Sequence, residues 1–194
     1  MRQLNSSILK RLFFGLFSLI LSLGLLGRPA SAEARQQPPP RDAAGYQAWL
    51  TKEVRHELVM LPFYSVFDNL QFRVEGDKVT LLGQVVRPTL KDDAAATVKR
   101  IEGVRTVDNQ IEVLPPSPND DRIRRAEYRK IYSGPKLNMY ALRSVPPIHI
   151  IVNGGHVTLE GAVASQSDKD LAGILANQVH GVFSVTNNLR IDNS

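Results

Sequence analysis

Hydrophobic and polar residues alternate in two separate stretches of the chain, and in each stretch the alternation gives way to a helical period. In the first stretch, Phe72 and Val74 alternate with Arg73 and Glu75. Val79, Leu81, Gly83 and Val85 then alternate with Thr80, Leu82 and Gln84. A period of two predicts a pair of half-buried strands, and Gly76-Asp77 between them predicts the turn of a hairpin. Leu90, Ala94, Val98 and Ile101 recur at helical spacing, and Gly103 reads as the stop of that helix. Val107, Ile111 and Val113 predict one last strand. Ahead of the hairpin, Leu50, Val54, Leu58 and Leu61 share one face of a helix over 46–61.

The same plan returns 78 residues later. Residues 150–192 align with 72–114 without a gap, and 14 of the 43 positions are identical, among them Gly83/Gly161, Lys91/Lys169, Gly103/Gly181 and Asn109/Asn187. Two copies are too few for a solenoid, so the repeat predicts two similar small domains. Asn153-Gly154 is the hairpin turn expected in the second copy. Its first helix, over 120–132, carries Ile123 and Ile131 where the first copy has Leu50 and Leu58, with Glu127 in place of Val54. The predicted fold class is α+β: two tandem αββαβ domains, each a three-stranded mixed sheet with two helices on one face. The boundaries read as 46–114 and 120–193, with a linker over 115–119 (PPSPN). The second face of each sheet is left open or is covered by the sister domain.

The remaining residues speak to location. Residues 1–32 combine Arg2, Lys10 and Arg11, an uncharged run from Leu12 to Leu26, and Ala30-Ser31-Ala32, the pattern of an export signal with a peptidase site. A helix of that run spans roughly 22 Å, short of a roughly 30 Å hydrocarbon core, so cleavage is expected and an uncleaved anchor is the alternative. A Pro-rich lead-in over 33–45 is expected to be extended and disordered. The expected compartment is the periplasm. The leader also accounts for most of the net charge of +5: without it, 20 basic residues face 19 acidic ones. Bulk basicity therefore gives no reason to expect a nucleic-acid partner. The absence of Cys excludes a disulfide scaffold, thiolate metal sites and a lipidated cysteine.

The strings Val74–Val85 with Gly103–Asn109, and Val152–Val163 with Gly181–Asn187, follow VxxxGxVTLxGxV and GVxxVxN. With the order αββαβ, they resemble the BON domain over about 145 of the 194 residues. The resemblance implies an exported envelope protein that contacts phospholipid surfaces and supports envelope integrity under stress. It implies no catalytic residues and no cofactor.

Candidate chemistry is sparse. His56, His149, His156 and His180 have no metal-ligand spacing, and no Ser sits in a GxSxG context. No small-molecule substrate or metal site is read from the chain, and an enzyme is not expected. The helix over 120–132 places Arg122, Arg125 and Arg129 in one arc with Tyr128 and Tyr132 at its border. Arginines beside tyrosines suit phosphates at a bilayer surface, and these five residues are the expected phospholipid-binding surface. Trp49, Met60 and Phe63 are the expected domain or partner contacts. The alternative function is that of a periplasmic protein-binding or chaperone-like stress factor, whose partner is an envelope protein.

Overall fold

Asp42 begins the part of the chain that the computed structural model describes, residues 42–192; the expected export signal and most of the lead-in lie outside it. The Asp42 carboxylate accepts the Gly45 N–H (2.7 Å) and caps helix α1, Ala43–Val59. Strand β1 (Asn69–Glu75) pairs antiparallel with β2 (Lys78–Val85), and α2 (Pro88–Lys99) crosses back to β3 (Thr106–Asn109) and β4 (Glu112–Val113). Both short strands lie parallel to β2, which is central. The second unit repeats the plan with α3 (Pro118–Tyr132), β5 (Ile148–Asn153), β6 (His156–Val163), α4 (Gln166–Asn177), β7 (Ser184–Asn187) and β8 (Arg190–Ile191). A 3-10 turn, Asn138–Leu142, lies between α3 and β5. The architecture is the α+β pair of αββαβ-like units that the repeat predicts, and β2/β6, α2/α4, β3/β7 and β4/β8 keep the offset of 78.

Each unit hides its apolar side under its own helices. Leu50, Val54 and Leu58 of α1 and Leu90, Ala94 and Val98 of α2 pack on Val79, Leu81 and Val85 of β2. In the second unit, Ile123 and Ile131 of α3 and Ala172 and Ala176 of α4 pack on Ile148, Ile150, Val157, Leu159 and Val163. The identical glycines at 83 and 161 have φ of +107° and +113°, and a Cβ there would run into the carbonyl of Asn69 or of Pro147. They let the entering strand lie against the backbone of the central one.

Three local expectations are corrected. The last strand of each unit is broken. The Asn109 side chain accepts the Ile111 N–H (3.2 Å) and donates to the Lys91 carbonyl (2.9 Å), and Asn187 does the same with Leu189 (3.3 Å) and Lys169 (2.7 Å). A local side-chain bond thereby takes the amide that the ladder would have used. The second hairpin turns at Gly154-Gly155, with φ of +60° and +79°, and Asn153 is the last strand residue, paired with His156. Gly103 and Gly181 do have positive φ, but they sit in the turn after the helix rather than at its cap.

The two units belong to one compact body and pack on each other. The loop after α1 reaches across: Val66 is buried in the second core with Phe67 against it, and its carbonyl accepts the Ile150 N–H (2.8 Å) at the free edge of β5. Tyr64 stacks on His149 (5.6 Å between centroids). Ile151 shares the His149 face of β5, belongs to neither core, and is still only 5 % exposed.

Candidate functional site

Helix α3 is built to hold one face down and leave another free. Ser117 accepts the Asp120 N–H (3.2 Å) as N-cap, and Pro118 opens the first turn, two residues before the expected start. Asp120 is buried and accepts the N–H groups of Gly154 (2.9 Å) and Gly155 (2.8 Å), which pins the helix start to the hairpin turn. Arg124, 3 % exposed, donates to Asp121 (2.6 Å) and to the Val152 carbonyl (2.6 Å). These two polar ties and the two isoleucines dock the helix.

Arg122, Arg125 and Arg129 all lie in solvent. Arg122 is steadied by the His180 carbonyl (3.3 Å) and Asn119 (3.0 Å). Arg129 and Lys130 line a shallow depression of about 330 Å³ with Ala126, Gln178, Val179 and His180. Tyr128 is partly exposed, its ring 5.0 Å from that of Tyr132 and edge-on to Phe67 at 6.3 Å. Tyr132 does not join this surface. It is 6 % exposed and its hydroxyl donates to the Ile148 carbonyl (2.6 Å), so it is a core residue, and burial raises its pKa further above the ordinary phenol value.

The three expected contact residues separate. Trp49 lies half-buried at the rim of its own core, 5.9 Å from Tyr46. Met60 is exposed on the surface. Phe63 is 66 % exposed at φ +66° and stands in a cleft of about 440 Å³ between the units. Ser65, Phe67, Asp68, Val86, Arg87, Asp121, Arg124 and Arg125 complete its walls.

Among the buried and half-buried polar groups that sequence reading missed, three bear on the surfaces described above. Glu127 is fully buried, and neither carboxyl oxygen has a hydrogen-bond partner. Burial pushes its pKa up to about 8, so the group is held neutral. The signal was present in the sequence as an acid standing where the first unit has Val54. Asp68 is the second: it accepts Ser65 N–H (3.1 Å), Ser65 Oγ–H (2.6 Å) and Val86 N–H (2.8 Å) and folds the interdomain loop. The half-buried His149 is the third, with its pKa lowered by burial against the opposing pull of the Asp68 carbonyl and charge.

Among the described residues, no group of three or more His, Asp or Glu is placed to hold a metal ion. No helix among them is long and apolar enough to cross a membrane. Ser184 Oγ lies 2.7 Å from His156 Nδ1 at an exposed position.

No curated protein matches the sequence. Among solved structures, the chain is similar to CdsD, a structural protein of the type III secretion system of Chlamydia trachomatis, at 12% identity and a TM-score of 0.27, over 74% of this chain and 93% of that one. The C-terminal domain of CdsD matches at the same identity and TM-score, over 74% of this chain and 97% of that one. The family model of the BON domain matches residues 46–115 and 136–193, and α3 falls between the two segments. Two αββαβ-like units with repeated glycines and a family match over both of them place the chain in one family: it belongs to the BON domain family.

Proposed function

We propose that this protein is a non-catalytic module of the cell envelope that rests the outer face of α3 on phospholipid membrane surfaces and so supports envelope integrity under stress. Family membership supports the general class, since BON domains associate with phospholipid membranes and are generally not enzymes. The observation that carries the finer reading is the division of α3 into two faces: Ile123, Glu127 and Ile131 face the core, while Arg122, Arg125 and Arg129 remain in solvent with Tyr128 at the edge. Tyr132 is not part of the surface. Export to the periplasm, by way of the leader in residues 1–32, belongs to the same reading.

Each arginine near an anionic bilayer contributes about 1 kcal/mol, so three supply roughly 3 kcal/mol, or about a hundredfold in partitioning. Flotation of the full chain with vesicles of zwitterionic and anionic phosphodiester lipids at low salt measures it. Binding that rises with anionic lipid, falls with salt, and is lost when Arg122, Arg125 and Arg129 become Glu is expected. No binding at low salt, or binding indifferent to those changes, removes the assigned surface. Stoichiometric cross-linking to one envelope protein, independent of lipid, would instead favour a protein-binding factor.

A further inference from the structure

The cleft between the units is a different place from the outer face of α3, and its charge is unbalanced. Three arginines line it, Arg87, Arg124 and Arg125, against two acids, Asp68 and Asp121. Both acids are already engaged. Asp121 accepts from Arg124 (2.6 Å), and the two oxygens of Asp68 take Ser65 and Val86. Arg124 is consumed by Asp121 and by the Val152 carbonyl. Arg87 and Arg125, on opposite units, make no ion pair among the described residues. The next helix adds to this field: α2 starts beside the cleft at Pro88 with Arg87 at its cap position, no side-chain cap and no acid in its first turn.

One wall is aromatic. Phe63 holds a left-handed φ of +66°, a strained conformation for a residue with a side chain. Its ring is exposed in the cleft, with the Arg87 guanidinium 4.9 Å from the ring centroid. Phe67 and Val86 continue the apolar side.

From this we propose that the cleft binds a phosphomonoester dianion carried on an apolar group, with Arg87 and Arg125 on the phosphate and Phe63 over the substituent. Two unpaired guanidinium forks call for two negative charges, and a phosphomonoester has both near neutral pH, whereas a carboxylate or phosphodiester has one. The volume of about 440 Å³ accommodates the phosphate together with a ring or short chain. The site is independent of the membrane reading, with which it shares only Arg125.

Calorimetric titration of the full chain with phenyl phosphate tests it, with inorganic phosphate, dimethyl phosphate and benzoate as comparisons. A second arm uses vesicles containing a lipid whose headgroup is a bare phosphomonoester. Saturable one-to-one binding of phenyl phosphate is expected, tightest among the four soluble probes. It should weaken about tenfold or more in R87A and R125A, each of which loses a charged fork, and less in R87K. It should also weaken below about pH 6, where the ester loses its second charge. Exchange of Arg122 and Arg129 for Glu should leave this binding in place while it removes binding to phosphodiester vesicles, and R87A should do the reverse. Capture of the phosphomonoester vesicles alone, lost in R87A, supports the site with a lipid as its source. Absence of binding in both arms, or binding indifferent to Arg87, overturns the proposal. A dimethyl phosphate affinity equal to that of phenyl phosphate overturns it too.

Discussion

Replacing Glu127 by Val should make the protein more stable, against the usual direction of a core substitution. Val is the residue that the first unit has at the matching place, and Val54 is fully buried there. In the folded chain the Glu127 carboxyl sits in the second core with both oxygens unpartnered and its pKa raised from 4.5 to about 8. Folding at pH 7 therefore requires a carboxylate to take up a proton, which costs about 3 kcal/mol by linkage. The sign follows from proton counting. Between pH 4.5 and 8 the folded state holds a proton that the unfolded state has released, so stability falls as pH rises through that window. Below it the contribution vanishes, and above it the full cost is present. Val removes the titration and leaves the shape nearly filled, against a helix-propensity loss of about 0.5 kcal/mol. A net gain of about 2–3 kcal/mol at pH 7 is expected. For a chain of this size that is a rise in Tm of roughly 5–10 °C. Urea unfolding of the full chain at pH 5, 7 and 8.5 reads it: the wild-type midpoint should drop across the series more than that of Glu127→Val, and Glu127→Gln should also flatten the pH dependence. A destabilised Glu127→Val, with a pH profile parallel to wild type, would refute the reasoning.

Two further outcomes follow from the backbone contacts. Gly161→Ala puts a Cβ into the Pro147 carbonyl at φ +113° and should cost at least about 2 kcal/mol, whereas Gly76→Ala, at φ +62° in open space, should cost about 1–2 kcal/mol from backbone strain alone. Equal midpoints in urea would show that the close approach carries no weight. Asp120→Ala strips one buried and one part-buried amide of a charged acceptor and should cost roughly 2–3 kcal/mol, while Gln47→Ala, which breaks one exposed bond to the Gly76 carbonyl (2.9 Å), should cost under about 1 kcal/mol. Hydrogen exchange at Gly154 and Gly155 should quicken in the first variant only.

Much of the fold was legible because it follows local patterns. Period two at Val79–Val85 and period 3.6 at Leu90–Val98 describe one buried face each, and the copy at an offset of 78 repeats both. What escaped was carried by hydrogen bonds or by distant partners. The strand break at Asn109 and Asn187 depends on a side chain competing for a neighbouring amide, which hydrophobic periodicity cannot register. Tyr132 falls at the border of the basic arc on a helical projection, but the Ile148 carbonyl and the loop before β5 bury it, and no projection contains that loop. Val66 and Phe67 reach the second unit, and nothing nearby in the sequence announces that β5 offers them a free edge. The arginine face of α3 was legible as an arc; the cleft was not, because Arg87 and Arg125 meet only through the packing of the two units.

The matched first helices of the two units show where the duplicate changed. The strands and the second helix kept what the fold demands: the glycine under the entering strand and the asparagine tying the last strand to the helix. The first helix kept its large apolar anchors, Leu50/Ile123 and Leu58/Ile131, and altered what lies between them. Gln47 became Asp120, Trp49 became Arg122, and Val54 became Glu127. The first change ties the helix to the hairpin by two charged bonds, the second exchanges a ring packed on the rim for an exposed cation, and the third places an unpartnered acid beneath the helix. Helix α1 is thus fixed mainly by apolar packing, and α3 by polar ties at its start over an interior that resists ionisation. Apolar packing is non-directional and serves the core alone. Polar ties are directional and fix the position of a helix, and hence the outlook of its arginines. A helix that only had to cover a sheet would gain from Val at 127, as the unpartnered carboxyl and its raised pKa show.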